Sequence, residues 1–166
     1  MTEAGMVQWR EVDEATVLRV AQTLLSLEPL LLSASVQEVA AKAGWTVTRF
    51  DPERSNRSAF LDTGYGFGSR SAFFKTDASS KVTSILVSVT EEVAGGGMAA
   101  DEYKLDAFAI AASALTSAFG KPDRPRPGEE PQLWWQQDTT WFGLITEHDG
   151  VSLQLTPAER MVGEWS

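Results

Sequence analysis

The 166-residue sequence predicts a single α+β domain, a mainly antiparallel sheet of about six or seven strands packed against helices in the order αα-ββββ-α-βββ-α. Three stretches carry that expectation. The run 82–90 alternates, with Ile85, Val87 and Val89 on one parity and Ser84, Ser88 and Thr90 on the other, the period of a strand with one buried face. Beyond a glycine loop, 101–119 repeats Leu105, Phe108, Ala112, Leu115 and Phe119 at spacings of three and four, which makes a helix with one apolar stripe for a sheet to cover. Turn signals at Asp138-Thr139 and Asp149-Gly150 divide the last third of the chain into a three-stranded meander.

In chain order, Asp13 caps a first helix whose face is Val17, Leu18, Ala21, Leu24 and Leu25, ending near Ser26 ahead of Pro29. Ser35 and Glu38 form a capping box, with Val36, Val39, Ala40 and Ala43 behind it and Gly44 as the stop, so a shorter helix follows. Alternation over 45–50 begins the sheet. The polar stretch 51–57 reads as a loop, and 58–63 and 70–75 as two short strands flanking Gly64-Tyr-Gly-Phe-Gly68. The turn 77–80 leads into 82–90, expected as the central strand. Asp101 is expected to cap the long helix, with Glu102 and Asp106 near its positive end, and Gly120 to close it. Pro122, Pro125, Pro127, Pro131 and Gly128 make 121–131 an exposed, extended connector. In the meander, the first turn pairs Trp135 with Phe142 and Leu133 with Leu144, and the second, taken as a two-residue Asp149-Gly150 turn, pairs Leu144 with Leu155. Both turns select one inner face. Trp134, Gln136, Trp141, Ile145, Ser152 and Gln154 then share the outer face. Thr156-Pro-Ala-Glu159 predicts a capped terminal helix with proline at its first position.

Composition narrows the function. The chain has no cysteine, which removes disulfides, thiolate nucleophiles and cysteine-bound metals and fits a reducing cytoplasm. Glu3, Glu11, Asp13 and Glu14 interrupt the N-terminal stretch, so no secretory signal peptide is expected there. The most apolar window, 24–32, contains Glu28 and Pro29 and falls short of the about 20 residues of a membrane span. The net charge of −9 is uneven: residues 1–83 hold nine Lys/Arg against ten Asp/Glu, and 84–166 hold five against thirteen. An acidic half repels phosphate backbones and attracts a basic protein. The expectation is a cytoplasmic protein without nucleic-acid or membrane partners.

No motif supplies catalysis. His148 is the only histidine and lies in a Glu-His-Asp-Gly turn without a metal-binding companion. The glycines at 64, 66 and 68 stand between two strands, open no helix and have no P-loop lysine, so they read as a tight hairpin rather than a phosphate cradle. The acidic pairs Glu91-Glu92, Asp101-Glu102 and Glu129-Glu130 are sequence neighbours, whereas acid/base pairs need opposed placement in different environments. No serine sits in a G-x-S-x-G elbow, and the Asn56 sequon has no export signal to give it meaning. The expectation is a non-enzyme with no metal and no cofactor.

The tryptophans suggest a binding face instead. Trp45 and Trp135 read as core, and Trp9 and Trp165 as clamps for the chain ends. Trp134 and Trp141 share the outer face of the meander, and with the acids Glu129, Glu130, Asp138 and Glu147 they have the composition of an interface hot spot. A covering helix would instead make them core. The glycine hairpin with Tyr65 and Phe67 is the second candidate site.

The segment Val36-Gln-Glu-Val-Ala-Ala-Lys-Ala-Gly-Trp45, the later Asp62-Thr-Gly-Tyr-Gly and the closing Leu-Trp-Trp, Gly-Leu-Ile and Val-Ser-Leu-Gln-Leu-Thr-Pro resemble a family of small actinobacterial proteins of unassigned function. Such proteins look like the immunity proteins found beside polymorphic or secreted toxins. The resemblance implies a binding module that neutralises a basic toxin domain by occupying it, and it transfers no functional residue. The element order is also similar to the type III secretion chaperone-like fold, which implies a chaperone or adaptor as the alternative. A small-molecule-binding domain or an enzyme of unrecognised type is the third.

Overall fold

Asp13 opens the first helix, its carboxylate accepting from the Thr16 hydroxyl at 2.8 Å and the Ala15 amide at 3.2 Å, and these bonds hold its pKa below the ordinary value. We describe residues 9–53 and 58–165 from a computed structural model, 162–165 by their backbone alone. Asn56 and the Trp165 side chain lie outside the described part. Helix α1 (Glu14–Ser26) runs into a 3₁₀ turn at Glu28–Leu30, and α2 (Val36–Ala43) starts at the expected box: Glu38 N–H donates to Ser35 Oγ and Ser35 N–H to Glu38 Oε1. Gly44, left-handed at φ 76°, ends it.

Eight strands follow, one more than the expected upper count: β1 (Thr46–Phe50), β2 (Ala59–Asp62), β3 (Ala72–Thr76), β4 (Val82–Ser88), β5 (Arg124–Arg126), β6 (Gln132–Gln136), β7 (Thr140–Glu147) and β8 (Gly150–Pro157). They form one antiparallel sheet in the order β1-β2-β3-β4-β8-β7-β6-β5, so two four-stranded meanders join where β4 pairs with β8. β4 is therefore central. The additional strand, β5, lies inside the proline connector, which is exposed as expected yet pairs with β6. Pro125 fits there because β5 is an edge and its missing N–H faces no partner strand.

The inner face is a ladder of Ala72, Phe74, Ile85, Val87, Leu153, Leu155, Phe142, Leu144 and Trp135, all in one core with α1 and α2. Helix α3 (Met98–Phe119) begins three residues before the predicted cap, at Gly97 and without a side-chain cap, and Gly120 closes it. Its buried stripe is Ala100, Ala107, Ala111, Ala114 and Leu115, against β7, β8 and α1, while α1 lies on β4. The predicted stripe is thus corrected: Leu105 is 52% exposed, and Phe108 and Phe119 are partly buried at the core edge. Alanine lets the helix approach closely, so the small residues mark the contact and the large ones flank it.

The first meander register is as predicted, with Trp135 opposite Phe142 and Leu133 opposite Leu144. The second is shifted by two residues: Glu147 pairs with Gly150 around a His148-Asp149 turn, so Leu144 meets Leu153 and Phe142 meets Leu155. A shift of two preserves parity, and the inner face is unchanged. Gly150 serves space: a Cβ there would lie 2.6 Å from Thr90 Oγ1, where residues 90–93 cross the turn. Finally, α4 (Ala158–Trp165) continues directly from β8, Pro157 being the last strand residue and not the first helical one.

Candidate functional site

The outer face of the sheet is divided. Over β6–β8 it is closed by α4: Trp134 (3% exposed), Trp141 (9%), Ile145 and Met161 form a second apolar cluster, with Leu86 and Ala158 at its border. Trp134 lies flat on Gly143, where a Cβ would come within 2.4 Å of the ring, and its Nε1 donates to Gln132 Oε1 at 2.9 Å. The predicted tryptophan patch is on the predicted face, but it is core beneath a helix of the same chain and not an open hot spot.

Over β2–β4 the same face carries Phe60, Phe73 and Leu86 side by side in register, all only half-buried. Here a groove of about 500 Å³ opens between the glycine loop, which supplies Phe67 and Arg70, and the β7–β8 turn, which supplies Glu147, His148 and Asp149. Ser88 and Ser152 continue its floor and Glu92 stands on its rim. The glycine loop is held from several sides. Gly64, Gly66 and Gly68 all have positive φ, a backbone closed to ordinary side chains. At its base Thr63 N–H donates to Ser71 Oγ at 3.0 Å, and the Thr48 hydroxyl on the β1 bulge donates to Ser69 O. Arg10 reaches over from the N-terminal segment: its Nη2 donates to Tyr65 O at 2.8 Å and its guanidinium lies 4.7 Å from the Phe67 ring centroid. The Arg10 backbone is in turn anchored by Glu91, which accepts its N–H, and by Tyr103, whose hydroxyl donates to its carbonyl at 2.6 Å. Arg70 stacks 4.5 Å from the Phe60 ring, and Phe60 sits 5.2 Å from Phe73. One wall of the groove is therefore aromatic with stacked arginines, and the other is acidic.

Glu147 is the distinctive group on the acidic wall. Burial is the main cause of its raised pKa, Asp149 and Glu130 add to it, and the hydrogen bond from Ser152 Oγ to Glu147 Oε1 at 3.0 Å, with His148, opposes it. Ser152 is only 3% exposed and spends its hydroxyl on the carboxylate, which makes it a support and not an open nucleophile. Among the described residues, no cluster of three or more His, Cys, Asp or Glu is arranged to hold a metal. Half-buried rings, a desolvated carboxylate and stacked guanidiniums bind by shape and charge.

The predicted site residues are thus separated. Glu147 and Phe67 meet in the groove, with Tyr65 behind Phe67 at 6.4 Å between ring centroids and packed on the core. Glu129 and Glu130 instead line a second concavity of about 520 Å³ beside α3, with Asp101, Lys104, Leu105, Gly128 and Thr146. Asp138 is exposed in the β6–β7 turn. Sequence reasoning passed over Phe60, Phe73, Arg70 and Glu92, and treated His148 as turn alone. A signal was present: Ala59-Phe60-Leu61 and Ala72-Phe73-Phe74 are apolar on both parities, which asks for a cover on each face. Only one face receives one.

No helix among the described residues is long and apolar enough to cross a membrane. No curated protein matches the sequence. Among solved structures the chain is similar to YjgB, a DUF4309 family protein from Bacillus subtilis, at TM-score 0.50 and 13% identity over 87% of this chain and 97% of that one, a likeness of fold alone. Residues 8–157 match the model of DUF6301, a family of unknown function, and the chain belongs to that family.

Proposed function

We propose that the protein is a non-catalytic binding module, that its binding site is the outer-face groove, and that it acts as an immunity protein which neutralises a toxin domain by occupying it. One observation carries the location of the site: α4 covers half of the outer sheet face and leaves the half with Phe60, Phe73 and Leu86 open beside Glu92, Glu147 and Asp149. Half-buried aromatic residues next to charged ones are the composition of protein-binding surfaces. The acidic C-terminal half supports a basic partner, and the sequence resemblance supports a toxin as that partner. The test pairs the purified protein with a toxin domain encoded beside its gene. The expected result is a one-to-one complex, loss of toxicity, and loss of both with Phe73→Asp. A toxin that stays active in excess protein overturns the immunity reading, and a complex indifferent to Phe73→Asp overturns the site.

A second reading is a small-molecule site, because about 500 Å³ falls in the range of ligand pockets. A metabolite that raises the melting temperature of the wild type and not of Phe73→Asp would favour it.

A further inference from the structure

We infer that the groove seats one basic side chain of the partner protein, an arginine or lysine whose head group meets Glu147 while its stem lies on Phe73 and Leu86. This rests on the protein-binding reading above. The register places Phe73 beside Leu86 and Ser88 beside Ser152, so the floor passes from apolar to polar and ends at the carboxylates of Glu92, Glu147 and Asp149. A side chain with an apolar stem and a cationic head matches that gradient, and an anionic one does not. The opposite wall shows twice that its rings accept guanidinium, in Arg70 over Phe60 and Arg10 over Phe67. Within the chain, Glu147 has a neutral hydroxyl as its hydrogen-bond partner, and a guanidinium would give this half-buried carboxylate a charge-assisted one.

The probe is an acetylated dodecapeptide carrying two arginines and a phenylalanine among alanines, set against its counterparts with citrulline or glutamate in place of arginine. Because His148 is the only histidine in the chain and lines the groove, its imidazole NMR signals report occupancy of this site alone. The arginine peptide should shift them saturably, and the other two should bind at least about tenfold more weakly. Glu147→Gln, a near-isosteric change at a half-buried position, should cost about tenfold, and Glu130→Gln outside the groove should leave affinity unchanged. Equal binding of the three peptides, or unchanged affinity in Glu147→Gln, overturns the inference. The two readings separate in the toxin complex. Loss with Phe73→Asp but survival with Glu147→Gln sinks the basic seat and keeps the protein site. Survival with Phe73→Asp, when the arginine peptide still reports through His148, sinks the protein site and keeps the seat.

Discussion

Leu105 and Leu115 decide which side of α3 is core. Leu115 is fully buried, so Leu115→Ala should destabilise by about 2–5 kcal/mol as a cavity substitution. Leu105 is 52% exposed, and Leu105→Ala should change stability by no more than about 0.5 kcal/mol. Chemical denaturation checks both, and equal losses would mean that the leucines share one buried face. The apolar spacing placed both leucines on that face because it weighs residues by size, whereas the helix makes its contact through Ala107, Ala111 and Ala114. Gly150 was misread for a related reason: glycine after aspartate signals a turn, but here it makes room for Thr90. Glu147 yields a pH prediction. Its folded pKa is raised from the ordinary 4.5, so the folded state holds the proton more tightly than the unfolded chain. The stability that Glu147 contributes is full below the unfolded pKa and is lost as pH rises through the folded one. Glu92, His148, Asp149, Glu130 and Arg70 are the same in wild type and Glu147→Gln, so the difference between them isolates this carboxyl. The variant should gain stability relative to wild type as pH rises from the ordinary glutamate range toward neutrality. A difference flat with pH would show that Glu147 titrates as it does in the unfolded chain.

At the scale of elements, local chemistry was legible wherever a cap made the decision. Asp13, the Ser35–Glu38 box and Gly44 place both ends of α2 and the start of α1 without help from the rest of the fold. β5 was not legible, since four nearby prolines argue against a strand and only its edge position makes Pro125 acceptable. The cover over Trp134 and Trp141 was not legible either. Whether α4 folds back on the sheet depends on tertiary packing, and the sequence pattern of β6 and β7 is the same with or without it. α4 is also the element whose removal is most informative. Deleting 158–166 removes Met161 and Ala158 from the tryptophan cluster and uncovers Trp134, Trp141 and Ile145. The truncated chain should keep its far-ultraviolet signal, shift its tryptophan emission to the red, bind a hydrophobic dye and melt several degrees lower, by about 4 °C or more for the loss of a kcal/mol-scale contact. Emission and melting temperature equal to those of the full chain would show that α4 does not cover these indoles in solution.

Two antiparallel meanders joined at β4 and β8 make one sheet, and its two faces divide the work of the molecule. The inner face, under α1–α3, is a continuous apolar core. On the outer face, closure by α4 at one side leaves the groove at the other, so the site is a part of the sheet that the chain leaves uncovered. The charge of −9 acts over the whole molecule, and most of it is carried by residues 84–166, which include Glu92, Glu147 and Asp149 in the groove and Glu129 and Glu130 beside α3. These two sets of acids should affect different rates for a basic partner. Glu129 and Glu130 are exposed and outside the groove, so they act through the long-range field, which steers encounter and is screened over about 8 Å at physiological salt. Reversing both to lysine should lower the association rate severalfold and flatten its salt dependence, leaving dissociation nearly unchanged. Glu147 is half-buried against Ser152 and acts only in the docked state, so Glu147→Gln should speed dissociation and leave the association rate and its salt slope intact. Stopped-flow association at several ionic strengths, with dissociation followed by competition, reads both rates. If reversal at 129 and 130 speeds dissociation as much as Glu147→Gln does, these acids touch the partner, and the interface extends from the groove to the concavity beside α3.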